Sequence, residues 1–534
     1  MLKKFCAVAA CVGFLSTLAL ADTPSKRTAC HTDSPSVVCV EGGAVQGVKQ
    51  GSTLAFKGIP YAQPPVGPLR WKPPATDVRW NGVRDGSQYG SMCPQVVNGK
   101  VEGNEDCLFI NVWRPKEKPK NLLPVMIWLT GGGNYQYSGA GSPGFGGVVY
   151  NGEKLVPENV VFVSYNPRLN ALGFLAHPAF DAERTEKISG NYGSLDQVAM
   201  LKWVHKNIAA FGGDPNRVFL FGASAGGGNI CALITSPMTR GLIHGAAMES
   251  SVPTGCEIPT LQDVENDTGK RVVHAVGCDT AADVGACMRD KTAEEIVGAI
   301  PGQFTVLPRT YGPNLDGHLF KEQPIKVIAG KRIPAMPIII GNTTGETVAW
   351  ADTAGKVTDQ ASYEAAIDRV FGAKSRDKIL AVYPVSNYPS PRAAFAQVTT
   401  DSAFTCQSHR VALAFAKAQG QHVFRYLFNY TLDNDPVLKA AGAAHTIEHS
   451  FLFNWQGKYK PTDTDLTVQR YMVDYWTRMA KAGNPNGGGD PKWQNVATGK
   501  DGFLEISSNP QMKSSESYGH CDFWDTIPFF WPHV

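Results

Sequence analysis

The chain has 534 residues, 43% hydrophobic and 18% charged, enough apolar material for a large core, which excludes disordered and collagen-like classes. Its 50 Lys+Arg against 47 Asp+Glu give a net charge of +3, or +1 once Lys3 and Lys4 leave with the N-terminal segment. So even a balance gives no electrostatic basis for a nucleic-acid or anionic-membrane partner.

Residues 1–21 have a basic start, an apolar stretch from Phe5 to Leu20 and an Ala19-Leu20-Ala21 site before Asp22, the pattern of a secretory signal peptide cleaved after Ala21. The apolar stretch is short for a membrane anchor. No later segment is apolar for the ~18 residues a span needs. The mature protein, residues 22–534, is expected in a periplasm or outside the cell as one large domain with insertions, with no membrane span. Of the 12 cysteines, Cys6 and Cys11 belong to the signal, and the rest meet an oxidising compartment. Cys30 with Cys39, Cys93 with Cys107, and Cys278 with Cys287 are near neighbours, cheap loops to close. Cys231, inside the apolar run Asn229–Ile234, reads as a buried free thiol.

Short apolar, β-rich runs lie at Leu123–Thr130, Val160–Ser164, Val218–Phe221, Ala246–Met248, Pro337–Ile340 and His422–Phe428. Several are apolar on consecutive positions, as strands buried on both faces are. Helical patterns alternate with them. The clearest starts near Asp196, carries Leu201, Val204 and Ile208 on one face, and is closed by Phe211-Gly-Gly213 ahead of Asp214-Pro215. This alternation predicts an α/β fold with a mainly parallel sheet.

The run Val218-Phe-Leu-Phe221 enters Gly222-Ala223-Ser224-Ala225-Gly226, followed by a helical pattern. A strand, a sharp glycine-flanked turn and a helix are the setting of a nucleophile elbow, in which the serine oxygen projects above the sheet. An ordinary serine is a poor nucleophile, so a base, a group orienting it and donors for the oxyanion must exist elsewhere. Trp128-Leu-Thr-Gly131-Gly132-Gly133 follows an apolar strand and suits a loop offering bare amides to an oxyanion.

The stretches Phe211–Gly226 and Glu105–Val112, with Phe56–Ala62 through Arg70, Gly190–Gln197 and Cys521–Trp524, resemble the type-B carboxylesterase family over nearly all of the mature chain. The resemblance implies an α/β-hydrolase fold, a central mostly parallel twisted sheet flanked by helices, with large helical insertions. It implies Glu346, in Gly341–Glu346, as triad acid, though Gly345 stands where an acidic residue is usual and Thr347 where a glycine is. It also implies His445, in Gly442–Glu448, as base in preference to His449, and Gly132, Gly133 and Ala225 as oxyanion donors. Implied too are a Cys406–Cys521 disulfide, an Ω-like loop closed by Cys93 and Cys107, unpaired Cys231 and Cys256, and the ion pairs Arg70–Glu105 and Arg168–Asp196. The expected activity is hydrolysis of a small-molecule ester through an acyl-enzyme, with no metal or organic cofactor; the oligomeric state is not encoded in any motif.

Ala223 stands where cholinesterases carry a glutamate, and no tryptophan lies between Cys93 and Cys107 to stack on a quaternary ammonium. The polar segment between these cysteines lacks the apolar face of a lipase lid, so small or soluble esters are expected. Thr130 and Asn134-Tyr-Gln-Tyr137 depart from the usual oxyanion loop. Two other readings compete: a zinc peptidase using His445-Thr-Ile-Glu448-His449, and a non-catalytic binding protein on the same scaffold, which retention of Ser224, Glu346 and His445 disfavours. Asn266, Asn342 and Asn429 begin glycosylation sequons.

Overall fold

The computed structural model describes residues 34–528 apart from 145–146, 252–253, 306–309, 421, 456–458, 497–501 and 516–517; all lie in the unit Thr32–Val534. Residues 1–21 and Cys30 fall outside the described residues, so the signal peptide and the Cys30 half of a pair with Cys39 do too; Cys39 itself is disulfide-bonded.

One sheet of eleven strands organises the chain. In chain order these are β1 (Val48–Gln50), β2 (Thr53–Pro60), β3 (Phe109–Pro115), β4 (Leu123–Leu129), β5 (Val161–Tyr165), β6 (Gly213–Ala223), β7 (Gly245–Glu249), β8 (Ile338–Thr343), β9 (Val423–Phe428), β10 (Gly502–Ile506) and β11 (Gln511–Ser514). Their spatial order is β11-β10-β9-β8-β7-β6-β4-β5-β3-β2-β1. From β5 to β10 every neighbouring pair is parallel, and the outer pairings are antiparallel. All six runs read as strands from the sequence are here, as β4 to β9.

Consecutive apolar residues divide between the two faces. Val125, Ile127 and Leu129 join Val218 and Leu220 in one core, whereas Met126 and Trp128 join Phe219 and Phe221 in the other. Helices α1 (Tyr192–Asn207) and α2 (Ala225–Leu233) cover the first face. The 20-residue helix Asp463–Ala482, started by a capping box at Thr462, covers the second with Val468, Met472 and Trp476. The α1 pattern begins four residues before Asp196, because its first turn is buried and partly polar. It ends in a 3-10 turn, Ile208–Phe211, and Gly212 at φ +85° turns the chain into β6.

Long excursions between β7 and β8, and between β8 and β9, are helical and own separate apolar clusters. In the second, helices Pro391–Thr400 and Cys406–Gln419 are joined by a π turn, Asp401–Thr405. The disulfides Cys93–Cys107, Cys278–Cys287 and Cys406–Cys521 form as expected. Cys231 and Cys256 do not remain free thiols: they are bonded to each other. Parallel pairing of β6 with β7 returns the chain beside α2, so residues separated by 25 positions meet.

Arg70 donates to both oxygens of Glu105 at 2.8 and 2.5 Å and to the Lys291 carbonyl at 2.7 Å, tying the Cys93–Cys107 region to an insertion. Arg168 grips Asp196 with three hydrogen bonds, from its guanidinium at 2.8 and 2.7 Å and from its backbone amide at 2.9 Å, and both groups are buried. Each partner is satisfied, so these pairs fix geometry; removing one would strand a buried charge. Asn266 and Asn429 are exposed. Asn342 is fully buried in β8 and hydrogen-bonds to Thr405, which leaves its sequon inaccessible in the folded chain.

Candidate active site

The residues singled out in the sequence gather at the carboxyl ends of parallel strands, where open α/β sheets hold their ligands. Ser224 follows β6 directly, with φ +55° and ψ −125°, a conformation unusual for a residue with a side chain. Its amide donates to the Glu249 carbonyl at 2.9 Å. The flanking glycines are required by close backbone approach. A Cβ at Gly222 would lie 2.5 Å from the Leu129 carbonyl oxygen, and one at Gly226 only 2.0 Å from it. The elbow is thus pressed against the end of β4, which leads into the Gly131-Gly132-Gly133 loop.

Gly132 and Gly133 have φ of +85° and +60°. The Gly132 carbonyl accepts from the amides of Tyr135 and Gln136, while the amides of Gly132 and Gly133 have no acceptor among the described residues. Ala225 opens α2, where an amide has no partner within the helix. Asn134, one of the unusual loop residues, is a brace: its Oδ1 accepts from Asn229 of α2 at 2.8 Å, and its carbonyl accepts from the Asn170 amide at 2.7 Å.

Glu346 follows β8 and His445 follows β9. A one-residue parallel bridge between Gly345 and Ala444 joins their loops, with the Gly345 amide donating to the Ala443 carbonyl at 3.0 Å. A Cβ at Gly345 would meet that carbonyl at 3.0 Å, a reason for glycine there. Thr347 is held by its hydroxyl on the Ala396 carbonyl at 2.8 Å. Glu346 is fully buried; one oxygen accepts from the Thr343 amide at 2.7 Å and the other hydrogen-bonds to His445 Nδ1.

The imidazole is 8% exposed and wedged between Trp350, with centroids 4.5 Å apart, and Phe404 of the π turn, at 5.3 Å. Its Nε2 has no hydrogen-bond partner among the described residues. Ser224, the most open member, and His445 line the same cavity, and no hydrogen bond joins them in this state.

His445 precedes the 3-10 turn Ile447–Leu452, with Thr446 left-handed at φ +64°. Its Nδ1 is committed to Glu346, and His449 Nδ1 to the Thr446 carbonyl. The two rings therefore do not share a helix face, as a zinc-binding H-x-x-E-H helix requires. Among the described residues no cluster of three His, Cys, Asp or Glu could hold a metal. His449 is buried against Trp128 and Tyr150, and burial pushes its pKa down to about 4.

Sequence reasoning missed a polar layer beneath the elbow. Glu448 is fully buried and accepts hydrogen bonds from the Ser250 hydroxyl and from Tyr426 at 3.1 Å; burial first, then the nearby carboxylates of Glu346 and Glu249, hold its pKa well above the usual range. Glu249 accepts from Trp476 Nε1 at 2.7 Å, and burial raises it to about 8. Only the residue-type order Glu249-Ser250 and Glu448 was visible, and nothing in it distinguishes a buried acid from a surface one.

A mostly parallel sheet covered by helices on both faces, with a serine turn at its centre, defines an α/β hydrolase. The carboxylesterase family profile matches residues 34–524. The chain is 35% identical over 489 residues to the fumonisin B1 esterase of Sphingopyxis macrogoltabida, covering 87% of this chain and 85% of that one. It is 33% identical over 471 residues to the para-nitrobenzyl esterase of Bacillus subtilis (strain 168), covering 84% and 90%. With the cocaine esterase of Homo sapiens it shares 32% over 526 residues, covering 90% and 88%. The chain belongs to the carboxylesterase family, enzymes that hydrolyse carboxylic esters.

Proposed function

We propose that the chain is an exported serine carboxylesterase that acts through an acyl-enzyme, with Ser224 as nucleophile, His445 as general base and acid, and Glu346 as the acid of the triad. The observation carrying this reading is the convergence on one cavity of a serine at a strained turn and an imidazole whose Nδ1 is held by a buried carboxylate while its Nε2 is free. Glu346 keeps the proton on Nδ1 and offsets the positive charge His445 gains. Nε2 then removes the Ser224 proton as Oγ attacks the ester carbonyl. The amides of Gly132, Gly133 and Ala225 receive the oxyanion. Collapse of the tetrahedral intermediate expels the alcohol, protonated by His445. Water activated by the same nitrogen cleaves the acyl-enzyme and releases the acid. Each proton taken by His445 is returned, so the residues end as they began.

Soluble esters fit this site better than lipid droplets. The segment between Cys93 and Cys107 is a polar hairpin, Gln95–Val97 against Lys100–Glu102, with Asn98, Gly99 and Lys100 exposed. The relatives named for fumonisin B1, para-nitrobenzyl and cocaine esters agree in pointing to small-molecule esters. Residues 22–534 are proposed to act as one domain, released by cleavage after Ala21 into an oxidising compartment. The four disulfides among the described residues suit that destination, and no helix among these residues is long and apolar enough to cross a membrane. Hydrolysis of p-nitrophenyl butyrate by the wild type, abolished in Ser224→Ala, is the expected result; equal inertness of both across an ester panel would refute the reading.

A further inference from the structure

Next to the nucleophile, one cavity is walled by aromatic rings from Phe304, Trp350, Phe371, Phe404 and Trp524. Polar side chains also reach it, and most are already engaged. Thr347 donates to the Ala396 carbonyl, Thr399 to that of Phe395, Ser402 to that of Val398, and Gln407 to that of Ser402. Ser251 differs. It is 1% exposed, borders the cavity, and its Oγ has no hydrogen-bond partner among the described residues. A buried hydroxyl left in that condition is destabilising, so a group that supplies an acceptor gains what a hydrocarbon does not.

Its position is fixed from two sides. A Cβ at Gly227, in the first turn of α2, would meet both Cβ and Oγ of Ser251 at 2.4 Å, so Ser251 sits on the helix one turn from Ser224. Five residues further on, Cys256 is bonded to Cys231 of the same helix. The loop bearing Ser251 is therefore clamped to the element that carries the nucleophile, which holds Ser251 at the cavity wall.

We propose that Ser251 determines specificity: its hydroxyl donates a hydrogen bond to an acceptor oxygen in the part of the ester that fills the aromatic cavity, so oxygenated esters are favoured over hydrocarbon esters of the same size. A hydrocarbon in that place leaves the hydroxyl unpaired or displaces a water it cannot replace. The inference rests on the serine-esterase reading and deepens it.

The test compares isosteric pairs in the wild type, Ser251→Ala and Ser251→Gly. One pair varies the acyl group, p-nitrophenyl 3-methoxypropanoate against p-nitrophenyl pentanoate. The other varies the alcohol, 2-methoxyethyl butanoate against butyl butanoate. Taking the ether-to-hydrocarbon ratio of kcat/KM and comparing it between enzymes cancels the intrinsic reactivity of each ester. Removing the hydroxyl is expected to lower that ratio about tenfold in one of the two pairs, the size of one hydrogen bond. An unchanged ratio in both pairs, or equal loss on both members of each, would overturn the assignment of Ser251. Ser251→Gly answers the same question if Ser251→Ala does not fold. A wild type inert on all four esters would instead overturn the esterase reading itself.

Discussion

Replacing Glu346 by Gln tests the acid of the proposed triad, and the structure sets the size of the effect. One Glu346 oxygen accepts from the Thr343 amide and the other from His445 Nδ1. A glutamine that keeps its oxygen on the Thr343 N–H turns its NH2 toward Nδ1. His445 must then accept there and carry its proton on Nε2, where it cannot take one from serine. The flipped amide restores the productive tautomer but sets N–H against the Thr343 N–H, which costs about 1–3 kcal/mol. Even then the charge that stabilises the imidazolium is gone, a further ~1.5–3 kcal/mol for a charged hydrogen bond. Together these predict a fall of about 10^2- to 10^4-fold in kcat/KM. The assay is p-nitrophenyl butyrate hydrolysis with the thermal midpoint as a control. The midpoint should stay close to that of the wild type, because an unflipped glutamine keeps both hydrogen bonds, accepting from the Thr343 amide and donating to His445 Nδ1. A loss of less than tenfold in a folded variant would refute the assignment.

Glu249, raised to about 8 by burial, binds its proton more tightly folded than unfolded. Its contribution is fully present below pH ~4.5 and is lost as pH rises to about 8, up to about 5 kcal/mol; Glu249→Gln should flatten that decline and raise the thermal midpoint at pH 9, read by thermal melts from pH 5 to 9. Cys231→Ala/Cys256→Ala should lose about 3 kcal/mol of stability, the entropy of a 25-residue loop, and non-reducing peptide mapping of the wild type should find the pair joined. Gly226→Ala drives a Cβ into the Leu129 carbonyl and should cost about 1–3 kcal/mol with most of the activity, whereas Gly298→Ala, with open space around it, should be neutral or stabilising.

How much the sequence disclosed depended on whether chemistry or topology wrote the signal. Strands β4 to β8 were legible because burial on both faces favours apolar runs, and β9 was legible from the residues around its buried Arg425. β2 and β3 were not, since Lys57 and Asn111 interrupt them: Lys57 sits over the Tyr89 ring, and Asn111 accepts from the Gly58 amide at 2.9 Å. The serine turn was legible because its glycines answer a steric demand set by Leu129. Glu346 and His445 required family resemblance, as their proximity comes from neighbouring strand ends. The Cys231–Cys256 bond escaped for the same reason: an apolar setting suggested a free thiol, and only the β6–β7 pairing supplies the partner. Ser251 was equally silent, because the sequence does not show which hydroxyls lack a partner.

Everything in the mechanism passes through the Ser224 oxygen, so the most direct measurement is covalent trapping with a serine-directed phosphonate, followed by peptide mass mapping. Ester hydrolysis should be lost in step with the appearance of one phosphonyl group per chain, on the peptide containing Ser224, with no label in Ser224→Ala. Full activity in the labelled protein, or a label on another residue that tracks inactivation, would contradict the mechanism.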